Sequence, residues 1–216
     1  MQRTWMVVML FLALCLSGAS YSQSPSLVLK DQPKTETWTF EKDRAGEIAE
    51  DFTAYVGKWQ VSADSTAPGN KHVFAQIAKN SNPTFNIALI NKTNYRDVDI
   101  SVMIKSLDGR LDQGGGLVWR ARDAKNYYIA RYNPLEDNYR VYKVVNGRRS
   151  RLQSASIKGT EGWHKLRVTM QGDRIKCYYD DKLYLDVQDF TFKDPGKIGL
   201  WTKADAKTLF DDLALK

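Results

Sequence analysis

The chain has 216 residues and a formal net charge of +7, and its 43% hydrophobic and 12% aromatic content excludes a disordered polypeptide. The positive balance is diffuse: lysines and arginines alternate with acids, and neither a one-sided basic stripe nor a nucleic-acid-binding motif stands out, so nucleic acid is not the expected partner. Two cysteines and six prolines leave no disulfide framework and no Pro-rich linker, and the length suits one domain with a sizeable core.

The first segment, Met1 to Ser24, reads as an export signal. Arg3 supplies a positive start, Trp5 to Leu16 are apolar, and Ser17, Gly18, Ala19, Ser20 and Ser22 are small residues suited to cleavage. A run of about a dozen apolar residues is too short for a comfortable membrane span. The expected organisation is therefore a signal peptide over 1–22, a polar arm over 23–36 and one domain over 37–216. The expected location is periplasmic or secreted, with no membrane insertion. Cys15 would leave with the signal, and Cys177 would remain as a small buried thiol.

Past residue 30 the hydrophobic period is two. A short helical suggestion at Asp43 to Asp51 is the one departure. Val98, Ile100, Val102 and Ile104 alternate with polar positions, as do Leu166, Val168 and Met170, then Ile175, Cys177 and Tyr179, then Leu183, Leu185 and Val187. Gly172-Asp173 and Asp180-Asp181 turn the chain between these runs, which makes a meander. Further strands are expected around Trp38, Trp59, Val73, Phe85, Leu117, Tyr127, Tyr139, Leu152, Lys197 and Thr208, with turns at Pro68-Gly69, Asn82-Pro83, Asp108-Gly109, Asn133-Pro134, Asn146-Gly147 and Pro195-Gly196. Many short strands at such spacing predict an all-β sandwich.

Chemistry-bearing groups are sparse. Asp97 and Asp99 sit at i, i+2 but Ser101 takes the third place, so they read as a solvated strand face rather than a glycosidase pair. His72 and His164 show no metal-ligand spacing. A structural calcium is admissible on hard oxygen donors, with Glu136-Asp137-Asn138 or Asp211 and Asp212 as its ligands. Arg148, Arg149 and Arg151 beside Asn146-Gly147 read as a solvated hairpin tip. The three-glycine run at Gly114 would bend a central strand or let a ligand approach the backbone.

The best functional lead lies between Trp119 and Tyr142. Placing Leu117, Trp119 and Ala121 in the core turns Val118, Arg120 and Arg122 outward; Tyr127, Ile129 and Arg131 share that side, and Arg140 and Tyr142 extend it. Aromatic rings suit the C–H faces of sugars, and guanidinium donors suit their hydroxyls. The expected ligand-binding set is Arg120, Arg122, Tyr127, Arg131, Arg140 and Tyr142, with Arg120, Arg131 and Arg140 side by side on adjacent strands of a concave face, suited to an acidic or keto-bearing sugar.

Six segments in order, from Asp97-Val98-Asp99-Ile100-Ser101-Val102 through Gly114-Gly115-Gly116-Leu117-Val118-Trp119-Arg120, Asp123 to Tyr128, Asn138 to Lys143 and Trp163 to Val168 to Phe210-Asp211-Asp212-Leu213, resemble the concanavalin A-like lectin/glucanase sandwiches. They are most similar to the 3-keto-disaccharide hydrolase domain family. The resemblance implies a jelly roll of two antiparallel sheets, a glycan or oligosaccharide as partner, and, in the hydrolytic members, cleavage of 3-keto-glycosides at a site with metal-binding residues. The chain departs from that pattern in having only two histidines and in reading Gly199-Leu200-Trp201-Thr202-Lys203 where the hydrolytic members carry a histidine-glycine segment.

Overall fold

The structure, a computed structural model, describes residues 35–69 and 71–216. The expected signal peptide and all but the end of the polar arm lie outside the described residues. Those described form fifteen strands and no helix.

One sheet has the order β13-β12-β11-β6-β15-β4-β3, with β1 also pairing with β15. Its strands are β1 (Glu36–Trp38), β3 (Trp59–Ala63), β4 (His72–Gln76), β6 (Val98–Asp108), β11 (Trp163–Gln171), β12 (Arg174–Tyr179), β13 (Lys182–Gln188) and β15 (Lys207–Leu215). The other sheet runs β10-β9-β8-β7-β14-β5-β2. It contains β2 (Phe52–Val56), β5 (Phe85–Ile90), β7 (Gly115–Asp123), β8 (Asn126–Asn133), β9 (Asn138–Val145), β10 (Arg148–Ser156) and β14 (Lys197–Lys203). All pairings are antiparallel.

The expected meander is present as β11-β12-β13, with Val168 opposite Cys177 and Cys177 opposite Leu185. Cys177 is buried and unpaired, and burial pushes its thiol pKa far up. The helical suggestion at Asp43 to Asp51 is corrected: the segment is a set of turns. Single-turn bonds such as Glu47 N–H to Arg44 O do not continue into a helix, and the segment is also tied to β3 through Gly46 N–H to Val61 O and Val61 N–H to Glu47 O. Strand β2 was not anticipated, because it is an edge strand whose Thr53, Ala54 and Tyr55 are all exposed and show no alternation.

Between the sheets lies one continuous core including Trp59, Phe74, Ile100, Ile104, Leu117, Trp119, Tyr128, Val168, Leu200 and Phe210. A second buried cluster lies on the opposite face of the seven-stranded sheet: Ile87, Leu89, Val118, Ala121, Tyr127, Ile129, Tyr142, Val144 and Trp201. Among the described residues no third sheet covers that face, and its side chains bury one another, as on the inner side of a curved sheet. Register shifts in β2, β7, β10 and β14 supply the bending.

The glycine run serves the protein's own backbone rather than a ligand's. A Cβ on Gly116 would stand 1.8 Å from Ala130 O, and one on Gly115 would stand 2.4 Å from Trp201 O. Gly116→Ala is therefore expected to lower the melting temperature by more than about 5 °C, since backbone on the neighbouring strand cannot yield as a side chain would. A thermal melt matching the parent's would contradict this account of the strand contact.

Candidate functional site

Strand register builds the site. A line of paired residues runs across the concave face as Ser154, Arg140, Arg131, Gly116, Trp201 and Ile87. Arg131 and Arg140 are thus direct cross-strand partners, as expected, and Gly116 brings no side chain between Arg131 and Trp201.

Two like charges so placed require counter-charge. Glu136, on the β8–β9 turn, accepts at Oε2 from Arg131 Nη2 at 2.9 Å, from Arg140 Nη1 at 2.9 Å and from Asn138 Nδ2 at 3.1 Å. Asp112 lies behind, with Oδ2 3.7 Å from Arg131 Nη1 and 3.2 Å from Lys203 Nζ, and Oδ1 accepting from Asn133 Nδ2 at 3.0 Å. Arg131 and Asp112 are each 1% exposed in their side chains. Burial lifts the Asp112 carboxyl above its ordinary range despite Arg131 and Lys203. Burial alone would raise Glu136 too, but Asn138, Arg131 and Arg140 outweigh it and hold that carboxyl low.

The supporting loops are fixed by side-chain-to-backbone hydrogen bonds. Asp205, in the β14–β15 turn, accepts the N–H groups of Arg110, Leu111 and Asp112. Asn133 Oδ1 accepts those of Leu135 and Glu136. The two carboxylates are held at the lip of the sheet by turns flanking β7 and β8, beside the arginine pair.

Next to this ionic group is an aromatic floor. Trp201 Nε1 donates to Tyr127 Oη at 2.9 Å, and Phe85 leans on Trp201 with ring centroids 5.3 Å apart. Arg149 lies across it, its guanidinium carbon 4.4 Å from the centre of Tyr142, 5.2 Å from Phe85 and 5.7 Å from Trp201. The β9–β10 hairpin turns at Asn146-Gly147, both with positive φ. Arg148 and Arg151 are exposed as expected of a hairpin tip, whereas Arg149 folds back onto the sheet.

Of the six expected ligand residues, Tyr127, Arg131, Arg140 and Tyr142 share this face. Arg120 does not join them. It has φ 47° at the register shift that follows Trp119, which reverses the alternation and puts Ala121 on the outer side instead. Its guanidinium is buried and donates to the carbonyls of Arg96, Phe192 and Gly172 and to Asp97 Oδ1. Three arginines side by side were expected; two are paired, and Arg120 closes the far end of the sandwich. Arg122 is exposed there, paired with Asp194 at 2.8 Å.

The remaining candidates are accounted for by the scaffold. Asp97 also accepts Gly172 N–H, and Asp99 holds Arg167 through two bonds of 2.7 and 2.6 Å. A pocket of about 610 Å³ lies over these residues on the eight-stranded sheet. His72 and His164 are on β4 and β11, three strand spacings or about 14 Å apart, too far to share a metal. His164 bridges Asp180 and Thr160. For calcium, Asp211 is buried and its oxygens accept Gly69 and Asp212 N–H groups. Among the described residues no group of three or more carboxylate, histidine or cysteine side chains is arranged to hold a metal ion, so the calcium reading gains no ligand set.

Sequence reasoning missed Lys203, Trp201, Phe85 and Arg149 as site residues and considered Glu136 only for calcium. The alternation of Gly199, Trp201 and Lys203 along β14 was the available signal.

A family model described as a 3-keto-alpha-glucoside-1,2-lyase-like domain matches residues 36–216. The levanase of Bacillus subtilis (strain 168) is 33% identical over 117 residues, which are 52% of this chain and 16% of the levanase. The aligned stretch is thus a small part of that enzyme. Among solved structures, carbohydrate binding module CBM66 from Bacillus subtilis superimposes with a TM-score of 0.65 at 24% identity, covering 77% of this chain and 96% of the module. The carbohydrate recognition domain of Emp46p, metal-free form, gives 0.53 at 12% identity, covering 76% and 87%. Both show the same sandwich fold.

Asp211 makes stability depend on pH. Burial, then the nearby charges of Asp212 and Glu41, lift its carboxyl to about 6 against the bonds from Gly69 and Asp212. The folded state therefore keeps a proton that the unfolded chain releases near pH 4, and stability falls as pH rises from about 4 to about 6. Asp211→Asn removes this titration. The variant's stability relative to the parent should improve by on the order of 1 to 2 kcal/mol between about pH 4 and pH 7, read from melts at both. A stability difference that does not change with pH would refute the assignment.

Proposed function

Because the chain belongs to the 3-keto-alpha-glucoside-1,2-lyase-like domain family, we propose that it is a carbohydrate-binding or carbohydrate-processing domain, exported by its N-terminal segment, that takes a glycan on the concave face of the seven-stranded sheet. The observation that carries this reading is the juxtaposition of Arg131, Arg140, Glu136 and Lys203 with the floor of Tyr142, Phe85 and Trp201. Sugar hydroxyls need donors and acceptors together: Arg140 and Lys203 donate, and Glu136 accepts at Oε1, the oxygen not used by its arginine partners. The names of the relatives, a levanase and a carbohydrate-binding module, support the same class.

Binding is favoured over catalysis. Glu136 is stabilised as a carboxylate by two arginines and is therefore a weak base, and Asp112 is engaged at both oxygens. The enzymatic alternative is cleavage of a 3-keto-glycoside. In it Glu136 would remove the proton beside the keto group, Arg140 would stabilise the enolate oxygen, and the enolate would collapse to break the glycosidic C–O bond, the leaving oxygen taking its proton from water. The placement of a carboxylate between two guanidinium groups favours that version over a two-carboxylate glycosidase. The third reading, a structural or adhesion domain without a small ligand, leaves the buried ionic group unexplained.

Arg140 is the informative position because its side chain is 27% exposed, whereas loss of Arg131 would strand the buried Asp112. Arg140→Ala should keep its melting temperature within a few degrees and weaken glycan binding by about tenfold or more, or about 1.4 kcal/mol. A screen against a glycan array identifies the ligand, and titration calorimetry of parent and variant reads the loss. Unchanged affinity in a folded variant would place the site elsewhere.

A further inference from the structure

Arg149 is held in an unusual way for a surface arginine. Its guanidinium lies over three aromatic rings, Nη1 is buried without a hydrogen-bond partner, and the side chain has no ion pair among the described residues. The charges around it do not balance. Arg131 repels it, Asp112 and Glu136 attract it, and both carboxylates are already committed to Arg131, Arg140 and Lys203. By strand register Arg131, Arg140, Arg149, Arg151 and Lys203 lie on the face that carries Asp112 and Glu136. Arg131 Nε is likewise buried with no partner.

An unmet buried donor is costly, and since Nη1 is closed to a ligand, an incoming acceptor meets the guanidinium at Nε or Nη2, which make no hydrogen bond within the described residues. Ring faces attract the cation and fix its plane, but they accept only weak hydrogen bonds. An arginine so pre-oriented is a flat, always-charged fork suited to an oxyanion. Arg149 belongs to β10 and is stacked on Tyr142 of β9, while Glu136 sits on the β8–β9 turn beside Arg140. The face therefore offers hydroxyl-reading groups at Glu136 and Arg140 and a separate anion-reading group at Arg149.

We propose, resting on the glycan-binding reading above, that Arg149 selects glycans bearing an oxyanion, a sugar carboxylate or a sulfate ester, over their neutral counterparts. The ring-stacked guanidinium takes the anionic group, while the Glu136 end reads hydroxyls of the same sugar or its neighbour.

The test uses matched pairs that differ only in charge: oligogalacturonides and their methyl esters for the carboxylate, dextran sulfate oligosaccharides and dextran oligosaccharides for the sulfate. Binding is measured at about 0.05 M and about 0.5 M salt, since screening separates charge selection from shape. The parent is expected to bind the charged member of at least one pair about tenfold or more tighter at low salt. The pair that shows the preference identifies the oxyanion. Arg149→Met keeps an apolar cover over the rings and removes the charge, so it should bind both members of that pair with equal affinity. Arg148→Ala, on the same strand but pointing to the opposite face, should keep the preference and shows that net charge alone does not produce it. Neutral members bound as tightly as charged ones by the parent, or a preference surviving in Arg149→Met, would overturn the inference while leaving the concave glycan site standing. Failure of all four probes and of the wider array would overturn both. If Arg149→Met melts far below the parent, Arg149→Lys decides: retained charge without the flat fork should lower the preference several-fold, and an undiminished preference would count against a specific Arg149 contact.

Discussion

The buried Arg131 guanidinium is the constraint on which the concave face depends. It stands on β8 of the seven-stranded sheet, on the face turned away from the other sheet, and it is as inaccessible as a core residue. That is tolerable only with counter-charge close by, so two separate turns must deliver carboxylates to it: Asp112 from the turn before β7 and Glu136 from the turn after β8. Those turns are in turn held by Asp205 and Asn133. Arg140 and Lys203 share the same two carboxylates. An ion group of this kind adds little net stability compared with apolar packing, yet breaking it by removing one partner leaves a buried charge and costs several kcal/mol. Its presence is better explained by what it presents to a ligand than by what it contributes to folding.

The two faces of the molecule solve the same problem differently. On the eight-stranded sheet, charged residues pair across exposed strands, as in Arg167 with Asp99 and Arg174 with Asp186, where such pairs contribute little to stability. On the concave face the charges are concentrated, desolvated and flanked by rings. The far end of the sandwich is closed by Arg120, whose donors satisfy three loop carbonyls, and by Asp189, which burial would raise but which Lys143, Thr191 and Tyr128 bring down to about 2. These groups are satisfied by the protein itself, whereas Arg131 Nε and Arg149 Nη1 on the concave face are buried without hydrogen-bond partners.

Much of this was legible in the period-two pattern. Val118, Tyr127, Ile129, Arg131, Arg140 and Tyr142 were assigned to one outer face by alternation, and the structure puts them there, because the side-chain direction along a regular strand is set by parity alone. Arg120 failed for the same reason: one residue at φ 47° reverses the parity of everything after it, and nothing in Trp119-Arg120-Ala121 announces a bulge. Arg149 was hidden differently. Exposed hairpin arginines and ring-stacked ones have the same sequence signature, and the floor of Phe85 and Trp201 comes from strands more than fifty residues away in the chain. Glu136 looked like part of an acidic loop until the pairing of β8 with β9 placed it beside Arg131 and Arg140.

The most direct test of the central claim is a crystal structure of the domain with the tightest glycan found by array screening. The account predicts a sugar seated on the concave face, with hydroxyls within hydrogen-bonding distance of Glu136 and Arg140 and a ring over the floor of Tyr142, Phe85 and Trp201. A sugar bound instead in the pocket over Asp99 and Arg174 on the opposite sheet, with the concave face unaltered, would contradict it.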